Sequence, residues 1–277
     1  MQEYTTVLND HYGQANLSQN IVAALQKAGK DLDALTRRDL IAFEEFHVRG
    51  RKATRELAQE AGLQSGMQLL DVGCGIGGPA RTLAAEFGCQ VTGVDITDEY
   101  CQAAEMLTDL VGLSGQASFR QGNALALPFE DGTFDVVWMQ HMSMNIEDKE
   151  RLYQEASRVL RPNGRLVFYA LFSGDGTPLH YPVPWANDAS LSFIVQPSQT
   201  YHLLGQLGFT EQTWRDVTDD CLAWFRQIRS NPQANTPSPL GLQLLMGANA
   251  RQKVANLFRN LTEGRVRVIE AVWERAA

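Results

Sequence analysis

The chain of 277 residues is long enough to bury one sizeable core, and its 44% hydrophobic and 20% charged residues are those of an ordinary globular protein. A net charge of −8 argues against a nucleic-acid partner, since phosphate backbones are bound through Lys and Arg. No stretch approaches the eighteen or so uncharged apolar residues of a membrane span, and the opening MQEYTTVLND has neither a basic nor an apolar leader region, so a cytoplasmic protein without membrane insertion is expected.

In chain order, residues 1–60 read as a helical cover. LSQNIVAALQKAGK opens with Ser18 as a cap candidate, DALTRRDLIAFEEF repeats apolar positions at three and four, and RKATRELAQEAGL ends on glycine. Residues 61–172 then alternate short β-rich runs (MQLLDVG, CQVTGVDI, ASFRQGNA, FDVVWMQ, GRLVFYALF) with helical ones (GPARTLAAEFG, TDEYCQAAEMLTDLVG, KERLYQEASRVLRPNG), the pattern of βαβ units around a parallel sheet. Residues 173–277 hold a proline-containing segment, a helix PSQTYHLLGQLGF, a strand TEQTWRDVT, helix broken by NPQANTPSP, and a closing strand RVRVIEAVWE. Cys74, Cys89, Cys101 and Cys221 form no CxxC pair and no metal-ligand spacing, so they read as reduced and structural, with no metal site.

The chemistry concentrates in LLDVGCGIGG, residues 69–78. Gly73, Gly75 and Gly78 match G-x-G-x-x-G between a strand and a helix, where backbone N–H groups can meet a nucleotide-like ligand; a tight turn needing positive φ accounts for the same glycines. Asp95 ends the second strand, where a carboxylate can accept both hydroxyls of a ribose. Asp71 precedes the first glycine by two residues, and there it would repel a pyrophosphate but attract an ammonium group. The ligand read from these residues therefore has a ribose and a positive charge but no phosphate.

LLDVGCGIGGPARTLA, VTGVDIT, GNALALPFEDGTFDVVWMQHMSMNIED and EASRVLRPNGRLVF together resemble the successive motifs of class I S-adenosylmethionine-dependent methyltransferases of the small-molecule type, in particular ubiquinone/menaquinone-biosynthesis and sarcosine/dimethylglycine methyltransferases. The resemblance runs over about residues 40–172. It implies a Rossmann-like, doubly wound α/β sheet of seven strands, mostly parallel, with the last strand antiparallel beside the fifth, an N-terminal helical lid and an insertion after the fifth strand. It also implies S-adenosylmethionine as cofactor, S-adenosylhomocysteine as product, and a small-molecule acceptor. Carried over, the methionine part falls on Gly73, Gly75 and Gly77, with Asp71 and Cys74 in the same run, the ribose on Asp95 with Ile96, and adenine on Asn123 with Ala124. Gln140 and His141, after the fourth strand, face the sulfonium or the acceptor.

His141 is the candidate general base, against the alternative that it only positions its loop. For His47 and Tyr12, ligand contact and plain packing are both open. Aromatic residues after the fifth strand, among them His180, Tyr181 and Trp185, suit a flat or cationic acceptor, whereas Trp214 reads as packing. The region beyond 172 does not follow the sarcosine-type pattern, which puts glycine-derived acceptors in doubt. Two rival classes share parts of this reading, an NAD(P)-dependent oxidoreductase and a non-catalytic binding protein on a methyltransferase fold. The first does not predict Asp71, and the second predicts damaged cofactor motifs.

Overall fold

A computed structural model describes residues 12–13, 16–175, 178–230 and 238–277. Strands β1 (Gln68–Val72), β2 (Gln90–Asp95), β3 (Ala117–Gln121), β4 (Phe134–Gln140), β5 (Leu160–Ser173), β6 (Phe209–Asp216) and β7 (Val266–Arg275) form one sheet in the order β3-β2-β1-β4-β5-β7-β6. The first five are parallel neighbours, and β7 runs antiparallel between β5 and β6.

The central strands are apolar on both faces because helices cover both. In β4, Val136 and Trp138 join one core cluster while Val137 and Met139 join the other, the alternation a pleated strand imposes. Helices α1 (Leu17–Lys27), α2 (Arg37–Leu40), α3 (Arg51–Glu60), α4 (Gly78–Phe87), α5 (Asp98–Leu110) and α6 (Lys149–Val159) follow in chain order. Beyond β5 come α7 (Pro197–Gln206), α8 (Thr218–Ser230), α9 (Gln243–Met246) and α10 (Ala250–Thr262). Among the described residues no helix is long and apolar enough to cross a membrane.

Three local expectations change. The cap of α1 is Asn16, at φ 63°, and Ser18 lies inside the helix. The helical run expected through residue 46 stops at Leu40, after which the chain turns, because Glu44 and Glu45 are drawn into buried contacts described below. The helix expected through residue 164 ends at Val159; Pro162 cannot donate to a helix and restricts the residue before it, so the chain passes directly into β5. Trp214 packs edge-on against Phe168 and Trp273, as its strand position implies.

Candidate active site

The carboxyl ends of β1, β2 and β4 open into a cleft of about 1210 Å³, its mouth included, at the place where open α/β sheets bind ligands. Of the residues singled out in the sequence, Gly73, Cys74, Gly75, Asp95, Ile96, Asn123, Ala124, Gln140 and His141 line it. Asp71 and Gly77 do not.

The glycines divide by what surrounds them. At Gly78 a Cβ would sit 2.1 Å from the Glu44 carbonyl oxygen, and at Gly77 and Gly73 it would strike Phe119 at 2.6 Å and Met142 at 2.5 Å. Those three are required by the protein's own packing. Gly75, at φ 53°, meets only the Phe46 ring, at 3.2 Å, and leaves backbone open toward the cleft. Its N–H donates to Asp95 Oδ2 at 2.9 Å, and Thr97 N–H donates to Asp95 Oδ1 at 3.0 Å. Each carboxylate oxygen thus keeps acceptor capacity for one further donor, which is what a pair of vicinal hydroxyls needs. Burial raises the Asp95 carboxyl from its ordinary value, and the backbone donors of Thr97 and Gly75 oppose that rise.

Asp71 pairs with Gly93 and Trp138 in the middle of the sheet and is 1% exposed. Its Oδ2 has no partner among the described residues. Burial, then the charges of Asp95 and Glu45, push its carboxyl up to about 8. A buried acid with one oxygen unanswered is the complement of a cation, and the residues present fit an ammonium group near the loop.

Gln140 has a fixed orientation: Trp138 Nε1 donates to its Oε1 at 2.8 Å, which turns the amide nitrogen the other way, where it is buried without a partner among the described residues. His141 follows in the left-handed region, at φ 45°, a conformation few non-glycine residues adopt. It is held there by its backbone N–H, which donates to the Tyr169 carbonyl at 2.8 Å, and by ring stacking on Tyr169 at 4.9 Å and 3°. Burial, then the charge of His47, push its imidazole well below the usual histidine range, so the ring is neutral at neutral pH. Its Nε2 has no partner among the described residues.

The stretch Glu44–Val48 forms one wall, which sequence reading missed. Arg81, fully buried in α4, donates to Glu44 Oε2 through Nη2 at 3.0 Å and Nε at 3.2 Å, while Arg51 takes the other oxygen. Glu45 accepts from Thr54 Oγ1 at 2.5 Å and Thr82 Oγ1 at 2.6 Å and lies 3.2 Å from His47 Nε2. Burial alone would raise Glu45, but His47 and the two hydroxyls outweigh it and hold the carboxyl below its ordinary value. His47 Nδ1 faces the Val48 carbonyl at 3.3 Å. Both nitrogens of His47 therefore lie against acceptor oxygens, and of the two cleft histidines it is His141 that offers a free one. Tyr12 also reaches the cleft, donating to Asn145 Oδ1 at 2.7 Å, and Asn145 in turn donates to the carbonyls of Trp185 and Leu191. His180 pairs with Glu263 away from the cleft, and Tyr181 does not line it.

Residues 70–168 match the family model of the methyltransferase domain. The core of this chain is similar to a methyltransferase domain. A sterol 24-C-methyltransferase of Eremothecium gossypii is 33% identical over 166 residues, which cover 53% of this chain and 44% of that protein. A sarcosine/dimethylglycine N-methyltransferase of Halorhodospira halochloris is 30% identical over 161 residues, 58% of each chain. The chain thus spans about half the length of the curated relatives it matches. Among solved structures, phosphoethanolamine N-methyltransferase 2 of Haemonchus contortus, bound to phosphomonomethylethanolamine and S-adenosylhomocysteine, superposes with a TM-score of 0.70 at 18% identity, covering 99% of this chain and 61% of that one. At that identity the likeness is one of fold.

Proposed function

We propose that this protein transfers a methyl group from S-adenosylmethionine to a small-molecule acceptor in cytoplasmic metabolism, with residues 1–60 and 173–277 enclosing the acceptor over the core at 61–172. The observation that carries the reading is the trio of Asp95, Asp71 and the Gly75 backbone: a ribose acceptor, a buried acid awaiting a cation, and an open peptide edge between them. A pyrophosphate cofactor has no use for Asp71, which disfavours NAD(P). Bound S-adenosylmethionine supplies a methyl group activated by a positive sulfonium.

The chain's own part is to hold, align and dry. Asp95 and Ile96 hold the ribose, Asn123 and Ala124 flank the base, and Gly73, Cys74 and Gly75 serve the methionine end, with Asp71 buried behind them and Gly77 shaping the loop through its packing against Phe119. Gln140 directs its amide nitrogen into the cleft, and His141 Nε2 receives a proton where the acceptor must lose one. A displacement at carbon gains most from collinear, water-free placement, which the walls from Glu44–Val48 and Trp185 favour. The test is calorimetric titration with S-adenosylhomocysteine and NAD: the first should bind with an enthalpy lost in Asp95→Ala, and the second should not bind. Binding of NAD alone would refute the proposal.

A further inference from the structure

Resting on that reading, we infer that the acceptor is an uncharged, largely apolar molecule with a single polar group, of hydroxyl or enol type, at the His141 end. The cleft is lined by three carboxylates, Glu44, Glu45 and Asp95, and by no Lys or Arg. The residues outside the described ones, 1–11, 14–15, 176–177 and 231–237, contain neither Lys nor Arg. An acceptor carrying phosphate or carboxylate would give up its hydration with no Lys or Arg of the cleft lining to replace it.

The acceptor side is also spent of polar capacity. Leu171 of β5, Pro184, Trp185, Leu257 of α10 and Met144 supply apolar surface from elements far apart in sequence. The polar atoms among them are satisfied by each other: Trp185 Nε1 donates to Ser192 Oγ at 2.9 Å, and Asn145 is occupied by Tyr12, Trp185 and Leu191. Among the described cleft residues the buried side-chain atoms left without a partner include the Tyr100 hydroxyl, which feels the charge of Asp95 on the ribose side, and Nε2 of Gln140 and of His141 after β4, which suit one neutral polar group.

The test is a matched series of 4-butylphenol, 4-butylbenzoate and 4-butylphenyl phosphate, titrated calorimetrically with and without saturating S-adenosylhomocysteine. The phenol should bind at least about tenfold more tightly than either anion, as expected when a charge is desolvated without a partner. Equal or tighter binding of an anion, or no binding of the phenol, overturns the inference. Failure of S-adenosylhomocysteine itself to bind would instead sink the methyl-donor reading, and the series without it still decides the acceptor question. Pro184→Arg, half-buried on the wall, should narrow the gap between phenol and phosphate by at least about tenfold; an unchanged gap in the folded variant places the acceptor elsewhere and overturns the inference too.

Discussion

Asp71→Asn separates the two things a buried acid can do here. The asparagine keeps the shape and removes the ionisation. In the ligand-free protein the wild-type carboxyl is pushed from 3.8 to about 8, with burial as the main cause. A group whose folded value is raised gives its full stability below the unfolded value, and that stability is lost as pH rises toward the folded one. Wild type should therefore lose about 1.4 kcal/mol per pH unit relative to Asp71→Asn between pH 4 and 8, on the order of 5 kcal/mol in all, with no further change above 8. Urea unfolding of both proteins at several pH values measures this directly. A constant difference across that window would show that Asp71 ionises normally in the fold, and the argument for a cation partner would fall with it. If the partner is the ammonium of S-adenosylhomocysteine, ligand binding at pH 7 restores the charge and releases close to one proton. Calorimetry in two buffers of different ionisation enthalpy detects that proton, and Asp71→Asn should release none.

Asp95→Ala should weaken S-adenosylhomocysteine binding by roughly 1.5–3 kcal/mol, read by titration, because two charge-assisted hydrogen bonds go with it. His141→Ala should lower kcat about 10²-fold for an acceptor that must lose a proton. Because burial and His47 hold the imidazole low, the acid limb of the wild-type kcat profile should lie below the ordinary histidine range and should be absent in the variant. Gly78→Ala should lower the melting temperature, since its Cβ meets the Glu44 carbonyl at 2.1 Å. Gly75→Val should instead lower ligand affinity more than it lowers stability, and a pair of variants that lost both properties equally would merge the two roles.

The sheet was readable because its strands are buried on both faces and so appear as unbroken apolar runs such as FDVVWMQ. Asp95 and the glycine loop were readable because strand ends and tight turns leave local marks. The wall at Glu44–Val48 left none: its turns are fixed by Arg81, a partner 37 residues away, and two adjacent acids look in sequence like a solvated helix face. Ser18 fails as a cap for a similar reason, since Asn16 adopts the left-handed turn that starts α1 two residues earlier. The apolar wall of the cleft was illegible beyond its aromatic content, because Leu171, Trp185 and Leu257 are brought together only by the packing of β5, its following loop and α10. Within that loop, His180, Tyr181 and Trp185 were indistinguishable by sequence, and only the last faces the cleft.

The left-handed backbone of His141 sets chemistry against economy of folding. Glycine at this position would relieve about 1–2 kcal/mol of backbone strain, and asparagine part of it. Random variation screened for solubility or heat resistance alone should therefore drift away from histidine here, and the gains would come with slower turnover of any acceptor that must lose a proton. A population under pressure for turnover should pay the strain and keep the imidazole. Position 141 can thus report, in an evolution experiment with no assay attached, which of the two pressures the protein has been living under.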